Sequence, residues 1–416
     1  VKKLLEKIPL ASEEKRIIKL VVIGSLAGCA LIVLFVWGIR YALVRNSSQP
    51  RPSPPSYASQ LAFYSESAKH LLPIDIEAHQ GAAQQHLQRE NPKKAVEHLL
   101  RIMAVAGEQR EIALMLATAY LHLQQAPEAI ALLEQLGEEK LEDSCSEPAL
   151  ARLGLAYFYQ ERFSEAVTVL EQCLERYPKS WEAACYLGQV VAALGDDLSR
   201  AEELLRRSVA LKGDYAEGWY QLGRFTMSRG DYEKSRSYLL QVLALQPLHV
   251  RTHSRLGMAY YYLKEFELAE QSYRTALNLN PEDFNTHYNL GELYYARYRE
   301  SQSIDGQPGE RDEARSYEHK ALESFKRALE HNPQHTEALF KLGLIALGNN
   351  QNREAVRYLE RGRVLAPTHT GLLLQLGVAY EKLSQGQEAL EVYRAITAYD
   401  ALNAVALQKI RLLSGK

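Results

Sequence analysis

The sequence predicts an all-α protein: an α-solenoid of about nine helix-turn-helix units, preceded by one transmembrane helix and a proline-rich tether. Three observations predict it. A Leu-Gly dipeptide recurs at seven periodic places, with glycine spacings of 34, 35, 34, 34, 52 and 34 residues. Residues 20–39 are apolar and carry no charge. The stretch "NSSQPRPSPPSY" at 46–57 separates that run from everything that repeats.

Bulk composition sets the frame. At 416 residues the chain has room for two or three ordinary domains or one long repeat array. The net charge of -2 hides an asymmetry. Residues 1–45 carry eight Lys/Arg and three Asp/Glu, which leaves 41 against 48 in the remainder. A body with seven excess carboxylates lacks the cationic surface that general nucleic-acid binding requires, so no nucleic-acid partner is expected. Four cysteines, one of them in the apolar run, make no disulfide framework.

Residues 1–19 form a basic stub. The run that follows would span roughly 30 Å as a helix, the thickness of the hydrocarbon core. Lys19 and Arg40 bracket it, with Trp37 and Tyr41 where amphipathic rings favour headgroups. Leu26-Ala27-Gly28-Cys29 matches a lipoprotein cleavage signal, but such a signal places its apolar region before the cysteine. Here "ALIVLFVWGI" follows it, so a spanning helix over 20–41 is the favoured reading. Six Lys/Arg flank the run on its N-terminal side against three on the other, which favours a cytoplasmic N-terminus and an extracytoplasmic body. In a bacterium this is an inner-membrane protein facing the periplasm. Gly24 and Gly28 give a G-x-x-x-G face on which a homodimer could pack. Pro50, Pro52, Pro54 and Pro55 make 46–57 an extended spacer. A capping helix is expected over 58–75.

The repeat occupies 76–403. Its glycines are Gly154, Gly188, Gly223, Gly257, Gly291, Gly343 and Gly377. Ala166, Ala269, Ala355 and Ala389 stand twelve residues after theirs, with Ser235 in the same place after Gly223. Tyr157, Tyr260, Tyr294 and Tyr380 stand three after. Pro178, Pro247, Pro281 and Pro367 stand 24 after, and Pro333 is displaced by an insertion. This pattern resembles the tetratricopeptide repeat (TPR). The resemblance implies a right-handed solenoid of two-helix units, in which the glycine and alanine let paired helices approach and the proline ends the second helix. Units start near Ile76, Arg110, Glu147, Trp181, Ala216, Val250, Phe284, Thr336 and Thr370. In the first two, Ala83 and Ala117 replace the glycine. Eighteen extra residues fall within 297–320, as a surface insertion or a contact loop. Residues 404–416 are expected to close the array with a helix.

No phosphate loop, dinucleotide-binding fingerprint, H-E-x-x-H or C-x-x-C is present. No catalytic residue, cofactor site or metal site is assigned. His249 and His253 have ligand-like spacing but no third ligand nearby. Cys173 and Cys185 fall on neighbouring helices, as a disulfide or, the favoured reading, as two buried small residues. The chemistry expected is that of a surface. The resemblance implies a groove lined by the first helices. Here it would present Tyr220, Gln221, Arg224, Arg251, Arg255, Tyr261, Tyr262, Tyr288, Asn289 and Tyr295, an aromatic and cationic strip suited to an acidic or C-terminal peptide segment. Arg251 and Arg255 match the cationic pair of the carboxylate clamp in chaperone-binding relatives. Gln221, Cys185 and Gln189 depart from the rest of it, so that specificity is not expected. The expected function is a membrane-anchored interaction scaffold or assembly factor for an envelope machine of secretion, pilus or translocon type. The alternative is a cytosol-facing receptor or co-chaperone that recognises targeting or C-terminal peptides.

Overall fold

In the computed structural model, the described residues are 73–88, 91–106, 109–138, 147–302 and 308–415. They form nineteen helices and no strand. The expected membrane helix at 20–41, Gly24 and Gly28, the tether at 46–57 and most of the expected helix at 58–75 lie outside the described residues. Among the described residues, no helix is long and apolar enough to cross a membrane. Contacts divide the chain into Val1–Ala119 and Tyr120–Lys416.

In the first of these, α1 (Pro73–Gln88) packs on α2 (Pro92–Ala106), and α3 (Arg110–His122) begins. Ala83 and Ala95 are fully buried, and both helices carry their small residues where they meet. Three histidines gather beside that contact. His79 Nδ1 and His98 Nδ1 are 2.6 Å apart, and the His86 ring stacks on His98 at 5.5 Å.

In the second, α4 (Ala126–Glu138) is followed by α5 (Glu147–Tyr159), α6 (Phe163–Arg176), α7 (Trp181–Leu194) and α8 (Leu198–Leu211). Next come α9 (Ala216–Ser228), α10 (Tyr232–Leu245), α11 (Val250–Tyr262), α12 (Phe266–Leu279), α13 (Phe284–Gln302) and α14 (Pro308–His331). The array ends with α15 (Thr336–Gly348), α16 (Asn352–Leu365), α17 (Thr370–Lys382), α18 (Gly386–Tyr399) and α19 (Ala404–Leu413). Each helix packs on the next or the next but one. Side chains and backbone punctuate the array as its physics requires. Ser180, Asp197, Asp231 and Asn403 accept backbone N–H bonds at helix starts. Second helices stop two residues before Pro178, Pro247, Pro281, Pro333 and Pro367. The turn inside most units passes through a left-handed residue, such as Lys264 at φ 62° or Gly230 at φ 78°.

The repeated glycines have a steric cause. A Cβ on Gly154 would lie 2.3 Å from Leu170, on Gly257 2.6 Å from Tyr273, and on Gly377 2.4 Å from Tyr393. In each pair a large buried side chain of the second helix lies across the bare backbone of the first. The small residues at the other side of the crossing, Ala166, Ala269, Ala355 and Ala389, are fully buried. Ser235, their counterpart after Gly223, donates its hydroxyl to the Gly223 carbonyl at 2.8 Å.

The 18-residue excess is mainly helix rather than loop. It lengthens α13 to 19 residues and α14 to 24, where neighbouring units have 13 and 14. Arg297 ties this extension to the preceding unit. It donates to Glu267 at 2.6 Å and to the Tyr317 hydroxyl at 2.7 Å, and its guanidinium lies 5.4 Å from the Phe266 ring.

Candidate partner-binding wall

First helices pack on first helices: α5 on α7, α7 on α9, α9 on α11, and α11 on α13. Their shared face is a wall whose chemistry changes along its length. Apolar positions turned toward second helices are spent on the core, which leaves polar and aromatic positions for the wall.

Its cationic part lies on α9 and α11. Arg255 donates its Nε to the Tyr220 hydroxyl at 2.8 Å. The guanidiniums of Arg251 and Arg255 lie 5.5 and 5.7 Å from the centre of the same ring. Tyr220 is itself only 3% exposed, so it serves as a floor on which the arginines rest rather than as a contact surface. Gln221 is likewise buried, at 6%. It relays between charges, donating to Glu217 and accepting from Arg224 Nη1 at 2.9 Å. Among the described residues, neither Arg224 nor Arg255 has a carboxylate within ion-pair distance. Some cations elsewhere are paired with carboxylates, among them Arg236 with Glu265, Arg297 with Glu267, and Lys409 with Glu381.

The next stretch, on α13 and α15, is anionic and aromatic. Glu292 Oε2 accepts from Lys341 Nζ at 2.8 Å, while Glu292 Oε1 is buried without a hydrogen-bond partner. Burial raises the Glu292 carboxyl above the usual range, and Lys341 opposes that shift. Tyr288 and Tyr295 stand four before and three after Glu292, so all three share one helix face. Lys341 Nζ lies 5.4 Å from the Tyr295 ring. Tyr288 stacks on His335 at 4.7 Å. Burial, then the Glu292 charge, raises the Tyr261 phenol. Asn289 is half-buried beside Tyr288.

The ten residues expected in the groove therefore differ in depth. Arg224, Arg251 and Tyr262 are exposed. Arg255, Tyr261, Tyr288, Asn289 and Tyr295 are half-buried, and Tyr220 and Gln221 lie beneath them. Tyr262 stacks on Tyr232 at 4.4 Å with an 11° tilt, at the edge of the wall. The sequence reading missed Glu292 and Lys341, which lie in different units, and Tyr159. The last ends α5, and after burial its phenol responds to Glu217, Arg251 and Arg224. Cys185 and Gln189, at the departures from the clamp pattern, are buried, with Gln189 Nε2 3.5 Å from Cys185 Sγ. Cys173 and Cys185 are not joined, and burial pushes the Cys185 thiol up. His253 donates to the Pro247 carbonyl at 2.8 Å and His249 lies 2.6 Å from the Thr252 hydroxyl, so both rings have local uses.

Known proteins share this construction. Models described as tetratricopeptide repeat match residues 151–216, 319–368, 340–403 and 216–247, and one described as TPR repeat matches 257–297. The BBSome complex member BBS4 of Bos taurus is 23% identical over 240 residues, covering 58% of this chain and 43% of that protein. The chain thus spans less than half the length of that curated relative. Among solved structures, the APC/C hetero-tetramer Cut9-Hcn1 aligns at a TM-score of 0.59 and 14% identity, over 78% of this chain and 60% of that one. The human IFIT1 dimer with m7Gppp-AAAA aligns at 0.55 and 15%, over 88% and 89%. At such identities the likeness is one of fold.

Proposed function

Because this chain is a tetratricopeptide-repeat protein, a helical scaffold for protein–protein interaction, we propose that its first-helix wall holds an extended partner segment by an acidic residue or free C-terminus. The observation that carries this reading is the state of Arg224 and Arg255. Both guanidiniums stand at the wall without a carboxylate, in a body where acids outnumber bases. A planar fork held by Tyr220 loses little freedom on meeting a carboxylate, which it can bind with two parallel bonds. The surrounding tyrosines add contact area at low entropic cost. A nucleic-acid partner, such as the capped RNA named with IFIT1, fits less well. Glu217, Glu292 and Glu337 interrupt the wall, and a phosphate backbone needs a continuous cationic track.

The test is selection of peptides with free C-termini from a random library on the immobilised full chain. Selected peptides should be acidic. The double variant Arg224→Glu, Arg255→Glu should bind them at least tenfold more weakly, about 1.4 kcal/mol, with unchanged circular dichroism. Binding should also weaken as salt rises. Selected peptides without acidic residues, or indifferent to the double variant, would overturn the reading.

The setting proposed is the extracytoplasmic side of a membrane, with residues 20–39 as anchor and 46–57 as spacer, in service of an envelope machine. The apolar run, its flanking bases and the prolines support it. Changing Cys29→Ala should leave the protein in carbonate-washed membranes, and a C-terminal reporter should work only outside the cytoplasm. Reporter activity in the cytosol would favour the peptide-receptor alternative instead.

A further inference from the structure

We propose that the same partner segment carries a basic side chain as well, received by Glu292 between Tyr288 and Tyr295, so that the wall reads an acid and a base in fixed order. This rests on the reading of the wall as a peptide site. The first support is Glu292 Oε1, shut from solvent without a donor although Oε2 is bonded to Lys341 at 2.8 Å. A buried carboxylate oxygen left without a donor costs free energy, and a ligand's ammonium or guanidinium supplies the missing bond. The Glu292 side chain as a whole is 25% exposed. The second support is the ring arrangement. Tyr288 and Tyr295 share its helix face, and the Tyr295 ring already takes one ammonium, that of Lys341, at 5.4 Å. The third is charge: Glu292 and the exposed Glu337 are the acids of this stretch, the first bonded to Lys341 and the second 3.3 Å from the His369 ring, the reverse of the arginine end.

Geometry sets the spacing. α11, which bears Arg255, and α13, which bears Glu292, are adjacent on the wall, and packed helix axes lie about 8–10 Å apart. A segment in the polyproline II conformation rises about 3.1 Å per residue with about three residues per turn, so a base about three residues from the acid held by Arg255 faces the wall on the same side. A segment running in one direction along the wall reaches both subsites in register, and the reversed sequence should bind less well.

The probe is an acidic peptide selected on the full chain as above, synthesised with lysine or norleucine three positions to either side of its acid. On the correct side, lysine should bind at least fivefold more tightly than norleucine. Glu292→Gln should abolish that preference while leaving the dependence on Arg255. Lys341→Met, which removes the competing ammonium, should raise the affinity for the lysine peptide. If lysine and norleucine peptides bind alike and still require Arg255, this inference fails and the acidic reading stands. If no selected peptide requires Arg255, the acidic reading fails first. A Glu292→Gln chain that keeps the full lysine preference also overturns the inference.

Discussion

A single methyl group tests how these helices meet. In Gly257→Ala the new Cβ would lie 2.6 Å from two carbons of the Tyr273 ring, which is 1% exposed. Helix propensity gains about 1 kcal/mol from the change, whereas overpacking costs about 1–3 kcal/mol, so the net is destabilising. Gly386→Ala is the control, because nothing lies within 4 Å of its added Cβ. Urea unfolding should show a lower midpoint for the first variant and an equal or higher one for the second. Equal shifts in both would mean that the crossing is not sterically closed. The glycine period was legible in the sequence because only one residue lacks a Cβ, and from the third unit on nothing larger stands there, while alanine takes the place in the first two. Depth was not legible. Tyr220 and Gln221 read as polar groove positions, yet Tyr220 lies beneath Arg251 and Arg255 of the next unit and Gln221 is tied to Glu217 and Arg224.

At the scale of the element, the recurring tyrosine joins one unit to the one before. Tyr157 donates to Glu134 at 2.7 Å, Tyr294 to Glu270 at 2.8 Å and Tyr380 to Glu360 at 2.8 Å. The sequence shows the tyrosines by their offset from glycine, but their acceptors sit at unequal distances upstream and escape any period. Burial, and after it the bond to Glu360, raises the Tyr380 phenol to about 12. The folded state therefore holds this proton more tightly than the unfolded chain, whose phenol titrates near 10. The contribution is complete below pH 10 and is lost as pH rises toward 12. Tyr380→Phe should cost about 1 kcal/mol at pH 7 and flatten that alkaline loss in a pH series of melting curves. A second titration works in the opposite direction. At the start of α15, His335 Nδ1 accepts the Ala338 N–H at 3.1 Å, and burial lowers the pKa of the ring below 6.5. As pH falls below 6.5 the unfolded chain takes the proton first, so stability declines until pH passes the folded value. His335→Asn keeps a capping acceptor and should remove that part of the acid sensitivity. An unchanged acid limb would show that the cap does not control it.

For the molecule as a whole, the governing fact is that among the described residues of 120–416 each helix makes its main contacts with its next one or two neighbours. Stability in such an array is a sum of unit and nearest-neighbour contributions. The Gly257→Ala lesson should therefore stay local. Hydrogen exchange should quicken in α11, α12 and the helices beside them, while α17 and α18 keep their protection. Uniform quickening would mean a single cooperative block. The linear array was legible because its period repeats, and a repeated unit can bury its apolar face only against copies of itself. The joint function of Arg255 and Glu292 was not legible, because no local pattern relates side chains from successive units. The same nearest-neighbour rule also bears on biosynthesis. A ribosome adds about 5–20 residues per second, so a unit of 34 residues emerges in about 2–7 s. Helices form in microseconds and local hairpins soon after. Every unit thus has its upstream neighbour finished before its own last residue leaves the exit tunnel. The nascent chain never waits for a distant strand, and the apolar surface it shows the cell at any moment is that of one growing end.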